Sequence, residues 1–168
     1  MIMRQHIFES AGRKIGMLQL SESNLHLILS EAIMPFIKVA YLSEGSIITI
    51  DLRRFTIGVP TLAFIRPGQF FHVAELPVAP GYLLFFNDAL YGVQMNCLEG
   101  ELFSNPPDIM LVALPLPHVK PVVYLLTLIE KELQLDEPDT EDMLLAFLEQ
   151  LQIRAGRLWR RQHLGPNR

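Results

Sequence analysis

The chain has 168 residues but only one cysteine, Cys97, so it cannot form an internal disulfide. A reducing cytoplasm is therefore the expected compartment. No apolar run approaches the ~20 residues that a membrane-spanning helix needs. The richest stretch, residues 109–116, is short and runs into Pro115 and Pro117. The first ten residues carry charged and polar side chains and lack the apolar core of a signal peptide. We expect a cytoplasmic protein with no membrane contact.

An excess of basic residues is also missing. Lys and Arg total 14 against 18 Asp and Glu, which gives a net charge of −4. Nucleic-acid binding is driven by a basic surface, so this chain is not expected to bind nucleic acid by itself. Five arginines nevertheless follow the acidic residues 130–149, at Arg154, Arg157, Arg160, Arg161 and Arg168. Cations favour the C-terminal end of a helix, and the same pattern also suits the approach to a basic neighbour outside this chain.

Catalytic motifs are absent from the sequence. It contains no Gly-x-Ser-x-Gly, no glycine-rich phosphate loop and no Cys-x-x-Cys. The histidines other than His72 are scattered without the spacing of metal ligands; they are His6, His26, His118 and His163. We therefore expect a protein that is not an enzyme and that carries no metal and no cofactor.

Short strands dominate the first half of the chain. Each is rich in β-branched, aromatic or leucine residues, and Gly, Pro, Ser or Asn separates it from the next. They are expected at residues 14–20, 25–29, 36–42, 47–52, 55–57, 62–65, 71–74 and 82–86, with one more at 109–114. Many short strands at even spacing indicate a sandwich or a barrel. Between these regions, Asn87 and Asp88 could cap a short helix through about Cys97.

The last third of the sequence changes to a helical period. Pro121 suits the first turn of one helix, and Asp139 or Thr140 can cap a second, over about residues 141–162. The second helix carries an a/d seam with spacings of four, three, four and three, made by Leu144, Leu148, Leu151, Ala155 and Leu158. This seam fits either packing within the chain or pairing of two subunits. Half of all residues are hydrophobic, which favours a buried subunit contact.

The central motif is the turn Arg66-Pro67-Gly68-Gln69 between two apolar strands, with His72 just beyond it. A small β-barrel of the cupin type presents pocket residues in this way. A cupin metal site also needs two histidines and a carboxylate in an earlier strand, where residues 33–41 offer neither type. A ligand pocket therefore fits better than a metal centre.

The candidate ligand-binding residues are polar or aromatic side chains near that turn: Lys38, Arg66, Gln69, Phe70, His72 and Tyr82. Phe64 and Phe85 are further candidates for an apolar lining. A pocket needs only a few convergent polar groups. His72 is read either as one of these or as a strand histidine without a role. Lys38 is read either as a pocket cation or as a residue that protects an edge strand from unwanted pairing.

Three segments together resemble the N-terminal cupin domain of AraC-type transcription regulators: residues 41–51 (YLSEGSIITID), 61–69 (TLAFIRPGQ) and 81–88 (GYLLFFND). Residues 144–162 look like the helix that precedes the linker in that family. The family commonly has a histidine where this chain has Phe71, and His72 follows one residue later. Because neighbouring strand residues face opposite ways, this shift leaves open which of the two points inward.

The resemblance implies a mostly β fold with C-terminal α structure. Residues 1–118 would form a cupin-like β-barrel (a double-stranded β-helix), and residues 119–168 a helical dimerisation region of two or three helices leading to a linker. The domain would bind a small-molecule effector and form a homodimer. DNA would be bound only by a helix-turn-helix domain that is not in this chain. The chain stops where that domain is expected to begin, as an excised domain or a shortened regulator would.

Two other functions remain open at this point. One is a metal-dependent cupin enzyme with an atypical site. The other is an interaction or dimerisation module without a ligand, whose barrel is filled by side chains.

The missing metal ligands give a first prediction. Purified protein is expected to contain no stoichiometric iron, manganese, zinc or copper, because a single histidine in the motif region cannot hold these ions tightly. Elemental analysis by mass spectrometry, before and after dialysis against a chelator, measures this. One equivalent of any of these metals would favour the cupin enzyme instead.

Overall fold

The computed structural model describes residues 6–87 and 109–165. In these residues it has nine strands, one short 3-10 helix at Leu25–Leu29 and two α-helices. The strands are β1 (His6–Ser10), β2 (Arg13–Leu20), β3 (Ile37–Leu42), β4 (Ile47–Ile50), β5 (Arg53–Thr56), β6 (Thr61–Ile65), β7 (Phe71–Glu75), β8 (Gly81–Phe86) and β9 (Met110–Ala113). The helices are α1 (Leu116–Glu132) and α2 (Thr140–His163). None of the described helices has the length and apolar character needed to cross a membrane.

A six-stranded antiparallel sheet forms the centre of the fold, in the order β1-β2-β8-β3-β6-β9. Its central strands β3, β6 and β8 are buried almost throughout. Side chains alternate between the two faces of a strand, so both faces of this sheet must be covered. On β3, for example, Val39 and Tyr41 belong to one hydrophobic cluster, and Ala40 and Leu42 to another.

The first face of this sheet is covered by a three-stranded sheet in the order β5-β4-β7. The space between the two sheets is filled by apolar side chains, among them Leu42 and Leu83 from the large sheet and Ile48, Ile50 and Phe71 from the small one. All five are exposed by 1% or less. The inter-sheet space is therefore packed with side chains at its centre.

The second face is covered by the two helices. Val122, Leu126 and Ile129 of α1 lie in the same cluster as Leu62 and Leu84 of the sheet. The proposed seam of α2 joins this cluster as well, with each side chain exposed by 4% or less: Leu144, Leu148, Leu151, Ala155 and Leu158. These five residues therefore pack inside the chain, and a subunit contact through them would require another packing of α2.

The expected mostly β fold followed by two or three C-terminal helices is confirmed, with two helices in the described residues. The expected barrel is not seen in closed form: within residues 6–87 and 109–165, strand pairing does not join the two sheets. Seven strands of the first half and the one at 109–114 match within a few residues. The short helix expected through Cys97 falls outside the described residues.

Two sequence-based expectations were wrong. Residues 25–29 form a 3-10 helix instead of a strand, because Asn24 folds back on the preceding turn: its Nδ2 donates to the Gln19 carbonyl and its Oδ1 accepts from the Ser21 N–H. Helix α1 begins at Leu116, five residues before Pro121. Pro121 thus lies inside the helix, where it lacks the N–H that would bond to the carbonyl of Pro117.

Gly16 on β2 is needed for packing between the sheets. It pairs with Phe85 on β8, and the Phe85 ring lies across it. A Cβ at position 16 would come within 2.3 Å of ring atom Cζ of Phe85. The same ring stacks on Phe36, with 5.8 Å between the ring centroids. The absence of a side chain at position 16 therefore makes room for this aromatic pair.

We predict that Gly16→Ala destabilises the protein by about 1–3 kcal/mol, the usual cost of overpacking a core. Gly58→Ala is the matched control, because a Cβ there meets no atom within 4 Å. Urea unfolding followed by circular dichroism measures both variants. Equal stability of the two variants would contradict the described position of Phe85.

Candidate functional site

Lys38 is the one charged side chain among the fully buried residues that the structure describes. It lies on β3 opposite Ile65 of β6 and Phe85 of β8. It has the same parity as Ala40 and Leu42, so it points into the space between the two sheets. Its relative exposure is 0%. Since β3 is a central strand, the interpretation of Lys38 as an edge-strand residue was wrong.

The Lys38 ammonium is held by backbone carbonyls. Its Nζ donates to the carbonyl oxygens of Met34 at 3.2 Å and Phe36 at 3.0 Å. No carboxylate of the described residues forms an ion pair with it. Burial lowers the pKa of Lys38 from 10.5 to about 8, because the charged form loses its hydration. A buried cation with only neutral partners is costly, and a ligand anion would offset that cost.

The Pro-Gly turn is joined to this end of the inter-sheet space. The Gly68 N–H donates to the Met34 carbonyl at 3.1 Å, the same oxygen that accepts from Lys38. Gln69 is buried, and its side chain accepts from the Arg66 N–H and donates to the Asp51 carboxylate at 3.0 Å. Gln69 therefore fixes the turn to the β4–β5 hairpin, while the Arg66 side chain is exposed.

Asp51 completes this arrangement. It is the first residue of the two-residue turn between β4 and β5 and has a φ of +53°, a value that non-glycine residues seldom adopt. Its backbone N–H donates to the Phe70 carbonyl at 2.9 Å, and its carboxylate also accepts from the Phe70 N–H at 3.3 Å. These bonds, with the one from Gln69, hold Asp51 in that conformation.

His72 points away from the inter-sheet space. On β7, Phe71 and Val73 face inward with 1% exposure, and His72 between them is partly exposed on the outer face. It pairs with Thr49 of β4, and its ring lies 6.4 Å from that of Phe70, which is 42% exposed. Phe71 thus takes the inward position, and the candidates His72 and Phe70 lie on the outside of the small sheet.

Tyr82 and Phe64 lie on the helix side of the large sheet. Tyr82 packs against the cluster formed with α1 and α2, and Phe64 belongs to it. Burial, with a smaller contribution from the nearby charge of Glu130, raises the pKa of Tyr82. Its ring lies 6.3 Å from that of Tyr41, its partner on β3. The sheet separates both residues from Lys38.

The structure therefore brings together three of the eight candidates, namely Lys38, Gln69 and Phe85. It leaves Arg66 on the surface of the same turn and places Phe70 and His72 outside the small sheet. Sequence reasoning missed Phe36, Met34 and Asp51. The backbone carbonyls of Met34 and Phe36 that accept from Lys38 carry no sequence signal, but Asp51 between two strands marks a hairpin turn. Among the described residues, no cluster of His, Cys, Asp and Glu has the geometry of a metal site.

Comparison with known proteins gives a fold relationship only. No protein-family model and no curated protein sequence matches the chain. Among solved structures, it is similar to a crystal structure of an apo ToxT variant from Vibrio cholerae, with a TM-score of 0.52 and 13% sequence identity. The match covers 90% of this chain and 59% of the ToxT chain. ToxT is an AraC-family regulator, so the fold expected from the resemblance is supported in general form.

The environment of Lys38 predicts an unusual pH dependence of stability. Between pH 8 and 10.5 the unfolded chain binds a proton at this lysine that the folded chain has lost. The free energy of unfolding therefore rises with pH across this window, by up to about 3 kcal/mol. In Lys38→Met this rise is expected to disappear. Urea unfolding of both proteins is measured across this pH window. The difference between the two free energies of unfolding removes the contribution of the tyrosines, which both proteins share, and leaves that of Lys38. Parallel curves would show that the lysine is not desolvated.

Proposed function

We propose that this chain is the effector-binding and dimerisation domain of an AraC-type transcription regulator. Two findings support this: the fold similarity to ToxT, and the buried Lys38 ammonium that has no counter-charge among the described residues. The buried ammonium is the observation that supports a sensing function, because strongly perturbed ionisable groups cluster at functional sites. The chain spans about three fifths of the ToxT chain, so DNA binding would belong to a helix-turn-helix domain outside it.

The surroundings of Lys38 favour an effector that is a small organic acid with an apolar body. Its carboxylate would replace the two neutral carbonyl acceptors of Nζ and would bring the opposite charge that these carbonyls lack. Phe36 and Phe85, stacked beside Lys38, offer the apolar contact. The Lys38 end is closed in this structure, so the effector would enter by displacing residues 30–36.

Such an exchange would also transmit the signal. The Met34 carbonyl accepts from both Lys38 and the Gly68 N–H, so freeing it would loosen residues 30–36 from the Pro-Gly turn. An effector that binds this looser arrangement better shifts the population towards it. In the full regulator, this shift would change how two DNA-binding domains are presented.

Homodimerisation is part of the proposal but needs a surface other than the α2 seam. Several large apolar side chains of the helices and their connection are exposed, including Tyr124 at 64%, Leu135 at 50% and Met143 at 40%. A second copy would cover such residues.

A second candidate is a packed interaction module without an effector. It is favoured by the inter-sheet core, where Leu42, Ile48 and Phe71 are exposed by 1% or less. An enzyme is the weakest candidate, since ToxT is a regulator and the described residues form no cluster of His, Cys, Asp and Glu that could hold a metal ion.

Ligand binding at Lys38 distinguishes these candidates. Octanoate at a hundredfold excess over its Kd is expected to stabilise the protein by about 2.7 kcal/mol and to raise Tm by several degrees. Octanol, which lacks the charge, should shift Tm far less, and Lys38→Met should remove the octanoate response. Lys120→Met, at an exposed lysine, is the matched control. If a panel of acids including octanoate gives no shift, or Lys38→Met responds normally, the packed module is the better account.

A further inference from the structure

A cavity of about 430 Å³ that is open to solvent on one side lies at the far end of the fold from Lys38. Its lining includes Thr61, which begins β6, whereas Lys38 pairs with Ile65 at the other end of that strand. Thr61 and Ile65 are four residues apart along β6, so the cavity and Lys38 are separated by about 13 Å along the strand. The described lining residues are Phe55, Thr56, Ile57, Gly58, Thr61, Leu111, Ala113, Gln162 and His163. The volume falls within the ~300–1,000 Å³ typical of small-molecule sites.

The cavity lies where the two sheets separate. Strand β5 is an edge of the small sheet, β9 is an edge of the large sheet, and the last turn of α2 lines the space between them. Gln162 joins two of these elements, because its Nε2 donates to the Ala113 carbonyl of β9 at 2.7 Å. A molecule in this cavity would therefore touch both sheets and the end of α2 at once.

The polar groups of the lining favour a ligand that donates a hydrogen bond. Gln162 uses an amide N–H for Ala113, and its side-chain oxygen is an acceptor. His163 Nδ1 lies 3.0 Å from the Trp159 carbonyl, an oxygen to which it can only donate. In the neutral imidazole, Nε2 is then an acceptor. Thr61 already donates its hydroxyl to the Val59 carbonyl at 2.8 Å.

The lining also selects against charge. None of its nine described residues is Asp, Glu, Lys or Arg. An ionised ligand would find no carboxylate, lysine or arginine among these residues to pair with. The apolar walls, formed by Phe55, Ile57 and Leu111, suit a flat hydrocarbon ring.

We propose that this cavity binds an uncharged aromatic alcohol of the phenol class. Its hydroxyl donates to Gln162 or His163, and its ring packs on Phe55 and Leu111. The bound molecule fixes the last turn of α2 to β9 and so controls the direction in which the chain leaves this helix. The site is separate from the one proposed at Lys38, and either holds if the other fails.

Trp159 provides a direct probe of this site. It is the only tryptophan of the chain, and its ring stacks on that of His163 with 3.5 Å between the centroids. The measurement is the shift of its indole N–H resonance on titration with para-cresol, toluene and para-toluate. Para-cresol is expected to give a saturable shift. Toluene, which lacks the donor, should bind about three- to tenfold more weakly, and the charged para-toluate should bind more weakly still.

Variants locate the binding. Ala113→Leu fills the cavity and should abolish the para-cresol shift, and Gly58→Val fills it from a position where a Cβ meets no atom within 4 Å. Together, Gln162→Leu and His163→Phe should reduce para-cresol to the affinity of toluene. Gln150→Leu, on an exposed position of α2, is the control. Circular dichroism confirms folding of each variant. The proposal is overturned if para-cresol gives no saturable shift, if para-toluate binds as tightly, or if the folded filling variants still bind.

Discussion

Burial of the six-stranded sheet on both faces is the constraint on which the rest of this structure depends. Strands β3, β6 and β8 have to present apolar side chains in both directions, so each needs a covering layer on each side. The three-stranded sheet supplies one layer and the two helices the other. The helices are therefore part of the same core as the sheet and leave little of the α2 seam for other contacts.

The burial of both sheet faces explains why Lys38 lies in an environment that disfavours its charge. In a strand with one solvent-exposed face, a lysine on that face would reach water. Here its ammonium is enclosed between two sheets, and among the described residues it donates to the carbonyls of residues 34 and 36. The same burial that stabilises the sheet makes this charge expensive, and that cost is what an anionic effector would relieve. The packing of the sheet is thus the basis on which we propose a sensing function.

The fold was largely predictable from the sequence because strand and helix periods are local signals. The run of apolar residues in β6 and β8, bounded by Pro-Gly turns, marks buried strands, and the four-three spacing of Leu144 and Leu148 marks a helix face. The local sequence does not identify which element packs against such a face. The apolar spacing of the α2 seam is the same whether a second subunit or the chain's own sheet packs against it. In the structure, the chain's own sheet packs against it.

The site was less predictable because a one-residue change of register reverses a side chain. His72 and Phe71 are equally close to the turn, and only pairing with Thr49 and Ile50 shows that His72 faces outward. Of the two interpretations of Lys38, the edge-strand one is wrong; the sequence could not exclude it, because no single segment encodes the order of strands in the sheet. Tyr82 and Phe85 are three residues apart and lie on opposite faces.

The central claim, that Lys38 is a buried ammonium without a counter-charge among the described residues, is tested most directly by an NMR titration of its side chain. The ε-methylene resonance of Lys38, assigned by its loss in Lys38→Met, reports the protonation of Nζ. The account predicts a titration midpoint near pH 8 in the free protein and a higher midpoint when an organic acid is bound. A midpoint at the ordinary lysine value of 10.5 would contradict it.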